Sequence, residues 1–93
     1  MFDWDDANRK HVADHGVEPS EAEEVIINDP LDLELQLING EERVLQIGNT
    51  NDLRILVVVT TWRGKKIRVV TAFPAPPQLC RFYAANKGLS DEG

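Results

Sequence analysis

From Leu31 the sequence obeys a two-residue period: "LDLELQLI" alternates Leu31, Leu33, Leu35 and Leu37 with Asp32, Glu34 and Gln36, as a strand does when one face meets a core and the other meets water. Asn39-Gly40 follows at once, the strongest two-residue hairpin signal. "EERVLQIG" then reads as the returning strand, "NTND" as a turn, and "LRILVVVTTW" as a central strand rich in β-branched residues. "RGKK" makes a third turn and "IRVVTAF" a last strand. The pattern predicts a four-strand antiparallel meander and obliges the rest of the chain to cover it.

Helical signals flank this block. Ahead of it, "MFDW" is apolar enough for a short N-terminal strand, and Asp5 is placed to cap a helix through "DANRKHVADH" that Gly16 stops. Asn8, His11, Val12 and His15 share one face of that helix, an unusually polar face for a core contact. "VEPSEAEEVIIND" predicts a second helix, with Pro19 at its first position, Val17 set to staple against Ala22, a buried stripe of Ala22, Val25 and Ile26, and Pro30 as its limit. Pro74, Pro76 and Pro77 forbid further pairing, and "PPQLCRFYAANKG" predicts a C-terminal helix with Leu79, Phe82 and Tyr83 on one face and Gly88 as its stop. The expected class is α+β: one domain over residues 1–88, two N-terminal helices on an antiparallel sheet, a C-terminal helix, and a flexible tail over 89–93.

At 93 residues the chain holds one core, burying somewhat over ~60% of its unfolded surface. The longest apolar run, Ile55 to Val59, is far too short to cross a bilayer, and the start lacks a signal-like pattern, so a cytoplasmic location without membrane contact is expected. One cysteine, Cys80, excludes an internal disulfide and a cysteine-based metal site. The net charge of -6 argues against nucleic-acid binding by bulk charge. Yet four of the ten Lys and Arg residues, Arg63, Lys65, Lys66 and Arg68, fall within six positions, leaving room for a local positive patch and separate acidic faces that suit a basic protein.

Each constellation has a plain reading beside a chemical one. "HVADH" sets two imidazoles at i and i+4, a chelating spacing, but without the glutamate of a zinc-protease motif or an evident third ligand, so neither a metal nor a cofactor is expected. His15 reads either as a cation at a helix C-terminus or as a proton carrier titrating near neutrality. The Arg63–Arg68 cluster reads either as a solvated turn with edge charges that suppress aggregation or as an anion site. Alternation places Lys66 and Arg68 on one face of the last strand, with Arg54 near them if the register allows. Glu41 and Glu42 beside Arg43 form either a carboxylate pair or a solvated hairpin shoulder. Cys80 has no neighbouring base in sequence, which argues against a nucleophile.

The ordered set "FDWD", "HVADHGVEPSEAEEV", "NDP", "GEERVLQIG", "ILVVVTTWRG" and "IRVVTA" resembles the BrnT-like toxins, the toxin halves of bacterial type II toxin-antitoxin pairs, which are similar in fold to the RelE group of small ribonucleases. The resemblance runs up to Ala75 and implies a RelE-like α+β domain that cleaves RNA without a metal. It also implies a cognate, BrnA-like, DNA-binding antitoxin as partner and leaves a homo-oligomer open. Matching positions are Trp4, Asp5, His15, Gly16, Asp29, Pro30, Glu42, Arg43, Ile47, Gly48, Arg63 and Arg68. The chain departs from the family pattern at Asn8 (usually Lys), Val12 (usually Asn), Trp62 (usually Glu), Phe73 (usually Arg) and Leu79 (usually Glu).

Metal-free RNA cleavage needs a base for the 2′-hydroxyl proton, an acid for the leaving 5′-oxygen and cations for the crowded phosphorane. Arg63 and Arg68, which match the family, are expected to supply the cations, His15 or His11 the proton transfer and Tyr83 an additional donor, with Arg54, Lys65, Lys66 and Phe73 expected as RNA-binding residues. Phe73 in place of Arg withdraws charge stabilisation worth ~2.7–4 kcal/mol, about a hundred- to a thousandfold in rate, while offering a ring on which a base stacks. Reduced cleavage is one expectation. A non-catalytic interaction module that keeps the fold and its partner surface is the other.

Overall fold

The structure, a computed structural model, describes residues 1–87; the expected stop at Gly88 and the tail over 89–93 lie outside the described residues. Among the described residues seven elements follow one another: α1 (Asp6–Asp14), α2 (Pro19–Ile27), β1 (Leu31–Ile38), β2 (Glu41–Asn49), β3 (Ile55–Arg63), β4 (Lys66–Pro74) and α3 (Pro77–Lys87). The strands form one antiparallel sheet in the order β1-β2-β3-β4. Asn39 and Gly40, both with positive φ, make the first hairpin, the primed turn whose twist suits flanking strands.

Helix α1 starts as the sequence dictates. The Asp5 carboxylate accepts from the Asn8 backbone N–H and the Asn8 side chain accepts from the Asp5 backbone N–H, a reciprocal cap worth ~1 kcal/mol. The polar face predicted for α1 divides in two. Val12 enters the core and Asn8 is buried, its amide donating to the Val69 carbonyl at 3.0 Å; His11 and His15 stay outside. The expected N-terminal strand shortens to a single parallel bridge, Phe2 to Ile67, with the Asp3 N–H donating to the Ile67 carbonyl and the Ile67 N–H to that of Met1. This bridge covers the free edge of β4, as an exposed sheet edge requires.

The single core expected from chain length is divided by the sheet into two, one on each face. On one, α1 and α2 press Val12, Val17, Ala22 and Val25 against Leu56, Val58, Val69 and Ala72, with Phe2 and Trp4 alongside. On the other, α3 lays Tyr83 and Leu79 against Ile47, Val57, Phe73 and Leu31; Phe82, expected to join them, is 42% exposed. Gly48 lets α2 approach: a Cβ there would stand 3.0 Å from Val25 and 3.1 Å from Pro30.

The leucines of β1 do not share one face. A bulge at Leu33 shifts the register between Asp32 and Glu34, and the extra residue reverses the inward set. Leu31 and Leu33 pack in the α3 core, whereas Leu35 and Leu37 pair with Val44 and Glu42 on the opposite face and are 65% and 71% exposed. Among the described residues, no helix is long and apolar enough to cross a membrane.

Candidate functional site

The β3–β4 hairpin sets the basic cluster. Arg63 pairs with Lys66 and Thr61 with Arg68, so alternation brings Arg63, Lys66 and Arg68 to one face. Register places that face on the α3 side, because Val57 and Phe73 pair further along the same strands. Helix α3 packs at the end around Ile47, Val57 and Phe73; at the end bearing the arginines Arg63 and Lys66 are exposed, while Val59 and Thr61 on the same face stay buried. Lys65 and Lys66 are exposed at the turn.

The anions that the arginines meet in the folded chain are carboxylates of the N-terminal segment. Arg68, with only 16% of its side chain exposed, donates Nη2 to Asp5 Oδ2 at 3.0 Å and lies 3.9 Å from Asp3 Oδ2. Arg63 Nε is 3.8 Å from the same Asp3 oxygen. Asp3 thus bridges two guanidiniums, and the helix cap Asp5 serves twice. The hydrogen bond from the Asn8 backbone, and then that from Arg68, hold the Asp5 carboxyl below the usual carboxylate range. Among the described residues, two buried side-chain polar atoms lack a hydrogen-bond partner, Arg68 Nη1 and Thr71 Oγ1. Register sets both side chains on the arginine-bearing face, since Thr71 pairs with Val59 beyond the bulge of β4.

The remaining candidates are not gathered here. Arg54, whose place depended on register, precedes β3 and donates to Glu21 at 2.8 Å; it lies seven residues, roughly 23 Å of strand, from the Thr61–Arg68 pair. The Glu18 backbone N–H, then Arg54, lower the carboxyl pKa of Glu21. Tyr83 is 1% exposed and donates its hydroxyl to Asn49 Oδ1 at 2.7 Å, at the β2–β3 end of the sheet. His15 caps the C-terminus of α1 with its ring 5.4 Å from His11 and 6.2 Å from Phe73. Because α1 runs beside β4 from Asp5 at Arg68 to His15 at Phe73, about 15 Å of helix separates His15 from the arginines. Glu41 pairs with Arg43 at 2.9 Å, and Glu42 points to the other face, so the two do not act as one pair. Among the described residues, no group of three or more His, Cys, Asp and Glu gathers as a metal site.

Asp3, Asp5 as an ion partner, Asn8 and Thr71 are members that the basic cluster alone did not disclose. A signal for the acids was present in "FDWD": read as an extended segment, Phe2 and Trp4 take one face and Asp3 and Asp5 the other.

Among known families, the profile described as "Ribonuclease toxin, BrnT, of type II toxin-antitoxin system" matches residues 4–78. No curated protein matches the chain.

Proposed function

We propose, on the premise that the chain belongs to the BrnT family of ribonuclease toxins of type II toxin-antitoxin systems, that it cleaves RNA without a metal ion at the arginine-bearing end of the α3 face. The observation that carries this reading is the convergence of Arg63 and Arg68 on Asp3, with Arg63 and the neighbouring Lys65 and Lys66 exposed. Membership also implies an antitoxin partner, which we take to be a BrnA-like, DNA-binding protein.

In the proposed reaction the 2′-oxygen attacks the adjacent phosphorus, the bond from phosphorus to O5′ breaks, and a 2′,3′-cyclic phosphate and a 5′-hydroxyl result. A scissile phosphate exchanges with Asp3 and Asp5 for the guanidiniums of Arg63 and Arg68, whose fixed charges favour the phosphorane over the ground state. Lys65 and Lys66 hold the strand on either side of it. The displaced carboxylate of Asp3 is placed to accept the 2′-hydroxyl proton, and a solvent water gives a proton to the departing 5′-oxygen. His15, too distant for the same phosphate, presents with His11 and Phe73 an aromatic strip on which a flanking base stacks.

Carboxylates that already neutralise both arginines, together with Phe73, favour slow cleavage, and in the limit a binding module without catalysis. Induced expression of the wild type and of an Arg63→Ala, Arg68→Ala variant, followed by growth and RNA integrity, tests the proposal. Cleavage of purified RNA in the presence of EDTA accompanies it. Growth arrest and RNA loss that the variant reduces about a hundred- to a thousandfold, unaffected by the chelator, are expected. Intact RNA with folded wild-type protein leaves the binding module.

A further inference from the structure

A second surface lies on the opposite side of the sheet, where α1 and α2 stop short of the two hairpins. A groove of about 290 Å³ there is lined by Ile26, Val44, Trp62 and Ile67, with Asp32 and Glu42 at its margin. Leu35 and Leu37 extend it to the sheet edge, since their partners Val44 and Glu42 line the groove and paired residues project to the same face. Leu35, Leu37 and Trp62 are 65%, 71% and 67% exposed, large apolar side chains in one band next to an edge strand without Lys or Pro. Contiguous exposure of this kind marks an interaction site.

Charge identifies the occupant. From Leu31 to Glu42 the chain carries no Lys or Arg; Asp32 and Glu42 lie on the groove face and Glu34 on the other, while Glu41 is already held by Arg43. A second copy would bring the same acids to the shared edge, at a cost in repulsion. A segment that mixes apolar and basic residues instead satisfies all three features: its backbone pairs with β1, its apolar side chains cover Leu35, Leu37 and Trp62, and its cations meet Asp32 and Glu42.

We infer that β1 and the Trp62 groove form the docking surface for an extended, basic and apolar segment of the antitoxin, separate from the Arg63–Arg68 site. The inference rests on the toxin reading only for the identity of the partner. The probe is the full-length antitoxin encoded with the toxin, titrated calorimetrically into the whole chain. A Leu35→Glu, Leu37→Glu variant, altered only at exposed positions, is expected to bind at least thirtyfold more weakly. Glu42→Lys is expected to lose about tenfold and to reduce the salt dependence, and Arg63→Ala to bind as the wild type does. Unchanged affinity of the leucine variant, or loss confined to Arg63→Ala, overturns the inference, as does sedimentation showing that the wild type alone dimerises through β1. RNA cleavage by the leucine variant, measured in parallel, is expected to equal that of the wild type. If neither cleaves, the ribonuclease reading fails while the affinity ratio still decides the surface.

Discussion

At the end of the sheet where β2 turns into β3 both faces are covered, by α2 on one side and α3 on the other; at the end where the two hairpins turn, the described residues place only the start of α1, beside β4. The covered end holds Leu56, Ile47 and Tyr83, all at most 1% exposed, and its polar groups are tied down: Asn28 to Asn49 and Asn51, Asn51 to Glu24, Tyr83 to Asn49, Arg54 to Glu21. The open end presents Arg63 and Arg68 on one face and Trp62, Leu35 and Leu37 on the other. Stability is thereby assigned to one end and recognition to the other, so a residue's place along a strand tells more about its role than its chemical type. Two arginines illustrate this: Arg54, just ahead of β3, fastens a helix, whereas Arg68, on β4, stands in the candidate site.

The contrast is broken most severely by truncating both ends alike. Leu56→Ala should cost about 2–5 kcal/mol, as cavities in packed cores do, whereas Leu37→Ala should stay within ~0.5 kcal/mol; denaturant titration of both variants checks this, and equal losses would dissolve the division. A smaller effect sharpens it. Tyr83→Phe removes one buried hydrogen bond, about 0.5–1.5 kcal/mol, and should leave RNA cleavage unchanged in rate, since the hydroxyl serves the covered end. A drop in cleavage without a drop in stability would return Tyr83 to the candidate site.

The smallest effect concerns the boundary between structure and site. Asn caps a helix about as well as Asp, so Asp5→Asn keeps the cap of α1 while removing the charge held by Arg68. The folded carboxyl of Asp5 titrates below its unfolded counterpart, so the unfolded chain binds the extra proton first. The stability that the wild type gains over the variant is therefore present above the unfolded carboxylate pKa and disappears as pH falls through the folded one. Thermal melts of both proteins at neutral and acid pH should converge at the acid end, and the variant should bind single-stranded RNA more tightly at neutral pH because one competing anion is gone.

Much of the fold was legible because it is local. Asn39-Gly40, the Asp5 cap, Pro19 and the prolines after Phe73 each fix their own backbone, and the four strands follow between them. What was not legible depends on counting across strands. A single extra residue at Leu33 sends Leu35 and Leu37 to the face opposite Leu31, and nothing in "LDLELQLI" marks where the alternation breaks, because a bulge is chosen by the partner strand. The site divides in the same way. The alternation of Lys66 and Arg68 could be read from their spacing, but their carboxylate partners could not, since Asp5 and Arg68 are 63 positions apart. His15 and Arg68 looked combinable because a sequence carries no distances; α1 lying lengthwise along β4 keeps them at its two ends.

The bridge between Phe2 and Ile67 has a consequence for biosynthesis. Synthesis makes Asp3 and Asp5 more than fifty residues ahead of Arg63 and Arg68, so two distant segments of the domain must meet before the site is assembled. No nascent fragment ending before β4 contains both the cations and the segment that positions them. On the proposed reading a growing chain lacks the assembled Arg63–Arg68 site until its final hairpin has emerged, and the closing of this long loop is also the moment at which that site forms.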